Sequence, residues 1–278
     1  MSARQTGRRQ SFEAYRATEA VNWSTLREMQ ASPARYQWRL THPPEETAAM
    51  RLGRATHTAV FEPDRLALEY AIWEGSRRAG PEWSDFAAAN AMRTILKLDE
   101  YETALAIRDA VRANRDARRL LRSGQAEVSL EWTDKATGIV CKARLDWLSP
   151  GRIVELKTTK SIDAHEWERT FAASLYHGQL AFYARGLAAQ GRRRAAPSAY
   201  VIAVENTPPF EVGVFEVGED ELWAGEVIVE RLLARLAECR AAGKWPGRYD
   251  GVQRLRLPAW AYPADETGPR PAIDAKGV

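Results

Sequence analysis

The most informative segment of the chain is Ile153-Val154-Glu155-Leu156-Lys157-Thr158-Thr159. Its apolar and polar side chains alternate with the period of two that a β-strand imposes. On such a strand Glu155 and Lys157 project from one face, while Val154 and Leu156 point into an apolar layer on the other. A carboxylate and an ammonium group two residues apart are often a plain ion pair, so this spacing alone does not indicate catalysis.

A second carboxylate lies on the segment before this strand. Arg144-Leu145-Asp146-Trp147 ends one strand, and a short proline–glycine turn follows it. The hairpin should bring Asp146 and Glu155 toward the same end of adjacent strands. Converging carboxylates repel each other unless a cation lies between them, and hard oxygen ligands select Mg²⁺ or Mn²⁺. Lys157 could position or deprotonate a water that attacks a phosphate, and Glu127 could add a third carboxylate.

The order of the predicted elements favours one α/β domain with an N-terminal helical elaboration. Predicted helices begin at Ser24 and Ser32 and cover residues 46–62, 81–121 (largely helical), 163–172, 176–189 and 219–242. Predicted strands cover residues 126–133, 139–148, 152–158, 201–204 and 210–217, and the first three form an antiparallel meander.

The same patterns predict the domain organisation. Residues 1–21 lack apolar periodicity and are expected to form a flexible arm. Residues 22–262 are expected to form one domain, with a mainly helical part at 22–123 and the α/β core at 124–262. The last segment, 263–278, is rich in Pro, Gly and Asp and is expected to be disordered.

The composition excludes several classes of protein. Of the 278 residues, 45% are hydrophobic and 28% charged, which is ordinary for a globular protein. The 2 cysteines, Cys141 and Cys239, cannot form a disulfide framework or a four-cysteine zinc or iron–sulfur site. No apolar run approaches the ~20 residues that span a bilayer, and the basic N-terminus has no apolar signal core, so a cytoplasmic location is expected. No Walker loop or dinucleotide fingerprint is present.

Basic residues are unevenly distributed, although the net charge is only +3, with 40 Lys and Arg against 37 Asp and Glu. Arginines cluster in the N-terminal arm, before Gly124 and after Gly191, and arginine suits bidentate contacts with phosphate. A solvated helix face or a charged loop explains any one cluster about equally well. Tryptophans such as Trp38 and Trp223 are expected in the core rather than as base-stacking platforms.

Asp146 followed by Glu155-Leu156-Lys157 resembles the signature of the PD-(D/E)XK nuclease superfamily. More narrowly, the chain resembles the RecE-like (exonuclease VIII) branch, which is related to the RecB nuclease domain and the lambda-type exonucleases. The resemblance implies a mixed central sheet flanked by helices and covers roughly residues 23–249. An isolated Glu-x-Lys is weak evidence, whereas four motifs in family order are strong. Those motifs are Gly53-Arg54-Ala55-Thr56-His57-Thr58-Ala59-Val60-Phe61-Glu62-Pro63, Cys141-Lys142-Ala143-Arg144-Leu145-Asp146, Tyr176-His177-Gly178-Gln179-Leu180-Ala181-Phe182-Tyr183 and Trp245-Pro246-Gly247.

The resemblance implies a role for each matching residue. His57, which alone would more often be a satisfied polar residue, matches a helical metal-binding histidine. Asp146 and Glu155 match the two acidic metal ligands, and Lys157 matches the catalytic lysine. Leu145 stands where many relatives have proline, which removes a rigid residue but no ligand. The other implied site residues are Leu156 (carbonyl metal ligand), Glu127 (second-metal or water-mediated ligand), Gln179 (catalytic and substrate-binding), and Tyr183, Arg54, Arg144 and Thr158 (substrate-binding).

The implied activity is that of a Mg²⁺-dependent deoxyribonuclease, with Mn²⁺ able to substitute and either one or two ions bound. A RecE-like enzyme would digest linear double-stranded DNA from 5′ to 3′ and leave 3′ single strands for a recombinase or single-strand annealing protein. It would form a homo-oligomeric ring threaded by DNA, with no membrane association. The alternatives are a RecB-type nuclease acting on single-stranded ends, an endonuclease on the same core, and a non-catalytic DNA-binding module. Retention of the whole residue set argues against the last alternative, because a packed core does not need all of it.

Overall fold

A computed structural model describes residues 8–9, 12–191, 197–258 and 261 of the chain. The strands are β1 (Arg8–Arg9), β2 (Tyr70–Trp73), β3 (Thr94–Lys97), β4 (Gln125–Thr133), β5 (Val140–Ser149), β6 (Arg152–Thr159), β7 (Ser198–Glu205) and β8 (Val212–Val217). The helices are α1 (Phe12–Ala17), α2 (Trp23–Leu26), α3 (Pro33–Thr41), α4 (Ala48–Phe61), α5 (Leu66–Glu69), α6 (Pro81–Ala89), α7 (Leu98–Ala113), α8 (Arg115–Leu120), α9 (Ala164–Ala173), α10 (Tyr176–Ala189) and α11 (Glu219–Ala242).

The central sheet has 6 strands in the order β1-β4-β5-β6-β7-β8. All neighbours are antiparallel except β6 and β7, which are parallel and are joined through α9 and α10. A parallel pair requires such a crossover, because the chain must return to the same end of the sheet. The predicted α/β class, with its mixed sheet and antiparallel meander β4-β5-β6, is therefore confirmed.

The alternation in β6 separates two apolar layers. Val154 and Leu156 pack with Phe61 of α4 and Ile107 of α7 on one face of the sheet. Ile153 belongs to the larger core on the other face, which also contains buried side chains of α10 and α11. The predicted burial of Val154 and Leu156 away from Glu155 follows from this period of two.

The side chains of β4 and β5 change from one face of the sheet to the other beside Glu127, one of the predicted site residues. Val128 and Leu145 are cross-strand partners in the larger core, whereas Ala126 and Trp147 are partners that pack against the second apolar layer. Residues two apart on a strand normally share a face. Glu127, which lies between these pairs, has a φ of 54°, a left-handed conformation uncommon for a residue with a side chain.

The predicted flexible arm differs from the structure in its second part. Helix α1 lies against β5, where the Lys142 ammonium donates hydrogen bonds to the carbonyls of Tyr15 at 2.8 Å and Thr18 at 2.7 Å. Val21 then forms a parallel bridge with Cys141. Such long-range contacts satisfy the last carbonyls of a helix and leave no trace in local periodicity. Residues 1–7, the predicted tail at 263–278 and the arginines at 192–194 lie outside the described residues.

The segment at 81–121 is largely helical, as predicted, but it is interrupted by β3, which pairs in parallel with β2 and was not predicted. A run of four residues is too short to distinguish helix from strand, and its partner lies more than twenty residues earlier. Trp38 and Trp223 are 52% and 70% exposed rather than buried in the core. Among the described helices, none is both long and apolar enough to cross a membrane.

Candidate active site

The candidate site lies where β5 and β6 separate. Their ladder runs from the turn to the pair Trp147–Val154 and ends there, just before Asp146 and Glu155. Asp146 Oδ2 accepts a hydrogen bond from the Leu156 backbone N–H at 2.8 Å. A carboxylate thus satisfies a backbone donor that the ladder leaves unpaired. The strand divergence opens a gap with one carboxylate from each strand beside it.

Helix α4 brings His57 to this gap. The helix begins after Thr47, whose hydroxyl accepts a hydrogen bond from the Met50 N–H. His57 Nδ1 lies 3.4 Å from Asp146 Oδ1, and His57 Nε2 lies 3.1 Å from the Leu156 carbonyl oxygen. Burial lowers the pKa of His57, but the Asp146 carboxylate outweighs it and raises that pKa to about 9. Without a metal ion the imidazole is therefore held as a cation between two acceptors, and it would have to lose a proton to become a metal ligand.

Glu127 joins His57 and Asp146 from β4. One ligand atom from each of these three side chains lies within 4.8 Å of the others, which is the spacing of a potential metal site. The Arg144 guanidinium donates to the Glu127 carboxylate, so this arginine is engaged inside the site. Burial and the neighbouring Asp146 raise the pKa of Glu127, and Arg144 opposes them.

A hydrogen-bonded chain extends from β6 to α10. Lys157 Nζ donates to Glu155 Oε1 at 2.6 Å, and Gln179 Nε2 donates to the same oxygen at 2.7 Å. Gln179 Nε2 also lies 2.7 Å from the Tyr183 hydroxyl oxygen, which accepts from it. Gln179 and Tyr183 are one helical turn apart on α10, so both reach the same side of the helix.

The two central carboxylates have different acidities. Burial, followed by the charge of Asp146, raises the pKa of Glu155 to about 7. Burial also raises the pKa of Asp146, but His57, Lys157 and the Leu156 N–H together hold it below its usual value. Burial lowers the pKa of Lys157, but the negative charges of Glu155 and Asp146 together raise it by more. The amine therefore stays protonated.

The donor set fits a hard divalent cation. Glu155 Oε2 is buried and, within the described part of the chain, has no hydrogen-bond partner. Burying a carboxylate oxygen without a partner is unfavourable, and a cation would relieve it. His57, Asp146 and Glu127 provide a nitrogen and carboxylate oxygens at close range. The Leu156 carbonyl, the further ligand implied by the resemblance, accepts from His57.

The structure does not bring every predicted site residue into this network. Arg54 lies one turn before His57 on α4 and forms an ion pair with Glu46 near the surface. Thr158 is half-buried, follows Lys157 on β6, and makes no side-chain hydrogen bond to another described residue. Their predicted contacts with DNA stay predictions.

Tyr176, the first residue of the third motif, contacts the site although the sequence assigned it no role. Its ring centroid lies 4.7 Å from Lys157 Nζ, which is the geometry of a cation–π contact. Tyr176 precedes Gln179 by three residues on α10, so helical spacing places both near one face. This spacing could have predicted the position of Tyr176, because a tyrosine one helical turn before a site glutamine lies on the same face of the helix.

Comparisons with known proteins agree with this fold. A family model described as "PDDEXK-like domain of unknown function (DUF3799)" matches residues 22–258. A crystal structure described as a "Putative exonuclease" from Eubacterium rectale covers 91% of this chain and 97% of that chain, with 14% identity and a TM-score of 0.61. The structure of SSO0001 covers 81% of this chain and 88% of that chain at 17% identity, but its TM-score of 0.29 supports no inference. Among proteins of curated function, none matches this sequence.

Proposed function

This chain belongs to the PDDEXK-like domain family matched over residues 22–258, and on that premise we propose that it is a metal-dependent deoxyribonuclease. The convergence of Asp146, Glu155 and Lys157 where β5 and β6 separate carries the proposal. Two acids, one of them with a pKa raised to about 7, and a protonated amine form the residue set needed for phosphodiester hydrolysis.

A bound Mg²⁺ or Mn²⁺ would polarise the scissile phosphate and lower the pKa of a bound water. Asp146, Glu127 and deprotonated His57 would hold the cation. Glu155 Oε2 lies outside this cluster, but it is buried without a hydrogen-bond partner among the described residues and would be a further ligand. The Leu156 carbonyl is the further ligand that the family resemblance implies. Calorimetric stoichiometry would distinguish one bound ion from two.

The remaining side chains have separate roles in this proposal. Lys157, protonated and pointing to Glu155, donates to a phosphate oxygen or to the attacking water and offsets the developing negative charge. Gln179 holds Glu155 Oε1 in place through its own donor. Tyr176 restrains the lysine ammonium from one side through its ring. These contacts fix the reacting groups before substrate binds, which is the main structural requirement for catalysis.

A basic groove supports a nucleic-acid substrate. Arg27, Arg35 and Arg248 line a shallow groove of about 440 Å³ that also contains Ser174 and Leu175, just before α10 begins. Glu28 neutralises part of this charge through its ion pair with Arg35. Arginine guanidinium groups suit contacts with the DNA backbone, which position a strand without reading its sequence.

The finer features of the proposal rest on the RecE-like resemblance. We propose 5′-to-3′ digestion of linear double-stranded DNA that leaves 3′ single strands for a recombinase or a single-strand annealing protein. A homo-oligomeric ring around the duplex, acting in the cytoplasm, belongs to the same proposal, and light scattering would measure its size. Arg54, Arg144, Tyr183 and Thr158 are the proposed substrate contacts.

Digestion of end-labelled linear duplex DNA tests the proposed reaction. We expect loss of the linear substrate in Mg²⁺, starting from the 5′ label, with no loss in EDTA and none of a closed circular control. Cutting of the circle would point to an endonuclease on the same core. Preference for single-stranded ends would favour a RecB-type enzyme. Absence of cutting in both Mg²⁺ and Mn²⁺ would favour a DNA-binding module.

Replacement of the lysine tests its catalytic role. We expect Lys157→Ala to slow cleavage roughly a hundredfold or more, as loss of one charge-stabilising donor does. Duplex affinity measured in Ca²⁺ should change little, because one lysine contributes few of the phosphate contacts. Lys135→Ala, at an exposed position in the turn after β4, is the matched control and should retain activity. Wild-type cleavage by Lys157→Ala would show that the assignment is wrong.

A further inference from the structure

Helix α1 is anchored beside the active site by a buried lysine. Lys142 is 6% exposed, and its ammonium donates to the carbonyls of Tyr15 at 2.8 Å and Thr18 at 2.7 Å. The same ammonium lies 4.8 Å from the centroid of the Tyr15 ring. The chain after α1 is tied to β5 through Val21, whose carbonyl accepts from the Lys142 N–H at 2.8 Å. One side chain thus fixes both the helix end and the tyrosine ring.

This anchor directs Tyr15 toward the acidic cluster. Lys142 and Arg144 are two residues apart on β5 and project from one face, so the ring held by Lys142 lies on the same face of the sheet as Arg144. Burial raises the pKa of Tyr15, Arg144 opposes that shift and Glu127 adds to it. The hydroxyl is therefore within electrostatic range of the Glu127–Arg144 pair.

The Tyr15 hydroxyl has no structural task that explains its position. It makes no hydrogen bond to any other described residue, although it can both donate and accept. Tyr15 is half-buried, so its hydroxyl can still reach an acceptor from outside the protein. An anionic oxygen of a substrate is a stronger acceptor than a neutral group, so it would satisfy the hydroxyl well.

We propose that Tyr15 is a substrate-positioning residue whose hydroxyl donates a hydrogen bond to a phosphate oxygen of the DNA strand beside Glu127 and Arg144. Helix α1 is then part of the active site rather than a dispensable arm. The cation–π contact with Lys142 holds the ring in place, so little side-chain entropy is lost when DNA binds. This inference rests on the proposed nuclease function.

The test removes one oxygen atom and keeps the ring. Tyr15→Phe and its control Tyr200→Phe are compared in steady-state digestion of linear duplex with Mg²⁺, and in duplex affinity with Ca²⁺. Tyr200 suits the control because its hydroxyl is already engaged, donating to Glu216 on β8 at 2.9 Å. We expect Tyr15→Phe to lower kcat/KM about tenfold, as for one hydrogen bond to a charged acceptor. The loss should appear mainly in KM and in affinity, with Tyr200→Phe unchanged.

A second variant tests the anchor. Lys142→Met retains Tyr15 but removes the cation that holds its ring and the α1 carbonyls, and we expect the same loss of affinity. Unchanged KM and affinity in Tyr15→Phe would overturn the inference and leave the proposed function intact. A fall in kcat alone would also overturn it, since a positioning contact acts on binding. A wild-type protein that neither binds nor cleaves DNA would overturn the inference together with the proposed function.

Discussion

Unequal stabilisation of two buried carboxylates shapes the chemistry of the site. Asp146 and Glu155 are 7% and 2% exposed, and only Asp146 has both an imidazolium and a backbone N–H as partners. Glu155 shares Lys157 but also faces the charge of Asp146, so it retains a proton to about pH 7. A pair of acids with separated pKa values can hold and release protons near neutral pH.

The pH dependence of stability without metal should reveal Glu155. Its folded pKa of about 7 lies above the ordinary value of 4.5, so the folded state binds more protons than the unfolded state between these values. That contribution to stability is present below pH 4.5 and is lost as the pH rises through 7. In EDTA we expect the free energy of unfolding of Glu155→Gln, relative to that of wild type, to rise by up to about 3 kcal/mol as the pH increases from 4.5 to 8.

Urea unfolding at several pH values measures this difference. Glu211→Gln, at an exposed position before β8, is the control and should show no such trend. A constant difference between Glu155→Gln and wild type across this range would mean that the carboxyl titrates normally.

At the scale of elements, α10 positions one side of the site. Tyr176, Gln179 and Tyr183 are spaced by three and four residues and contact Lys157, Glu155 or each other. Gly178 lets the helix approach the ring of buried Trp23, because a Cβ there would lie 2.4 Å from that ring. The close approach of α10 to Trp23 therefore requires a residue without a side chain at position 178.

Two helical glycines give a matched pair of variants. Gly178→Ala should lower the free energy of unfolding by about 1–3 kcal/mol, because overpacking outweighs the gain in helix propensity. It should also slow cleavage by displacing Gln179. Gly53→Ala in α4 meets nothing within 4 Å and should raise stability by up to about 1 kcal/mol. Urea denaturation measures both, and equal effects of the two substitutions would contradict the close contact with Trp23.

At the scale of the whole molecule, the potential metal ligands come from distant parts of the chain. His57 lies on α4, Glu127 on β4, Asp146 on β5 and Glu155 on β6, so these positions approach each other only after the sheet and α4 have packed. An ion that binds the folded state alone stabilises the entire fold by mass action.

Metal addition should therefore raise the melting temperature. With free Mg²⁺ or Mn²⁺ at one hundred times its Kd, the free energy of unfolding should increase by about 2.7 kcal/mol, and EDTA should reverse this increase. Asp146→Asn should lose most of the shift and most of the binding heat in calorimetry. Asp116→Asn, in an exposed ion pair with Arg115, should behave as wild type. An undiminished shift in Asp146→Asn would remove that residue from the ligand set.

Features that depend on neighbouring residues could be predicted from the sequence. The alternation of Val154 and Leu156 with Glu155 and Lys157 predicted both the strand and its two faces, because a strand has a period of two. Ser32 before Pro33 correctly predicted the start of α3. The short turn after β5 implied that Asp146 and Glu155 lie close together, since a hairpin constrains register.

Features that depend on residues far apart in the chain could not be predicted from local patterns. Ser24 was a plausible cap, yet α2 begins after Asn22, and β3 forms because β2 is available to pair with it. The left-handed conformation of Glu127 accompanies a change of packing layer that no local pattern encodes. Lys142 draws Tyr15 to the site from more than one hundred residues away. Periodicity and capping act over a few residues, whereas these contacts require a packed sheet, so only the folded molecule defines them.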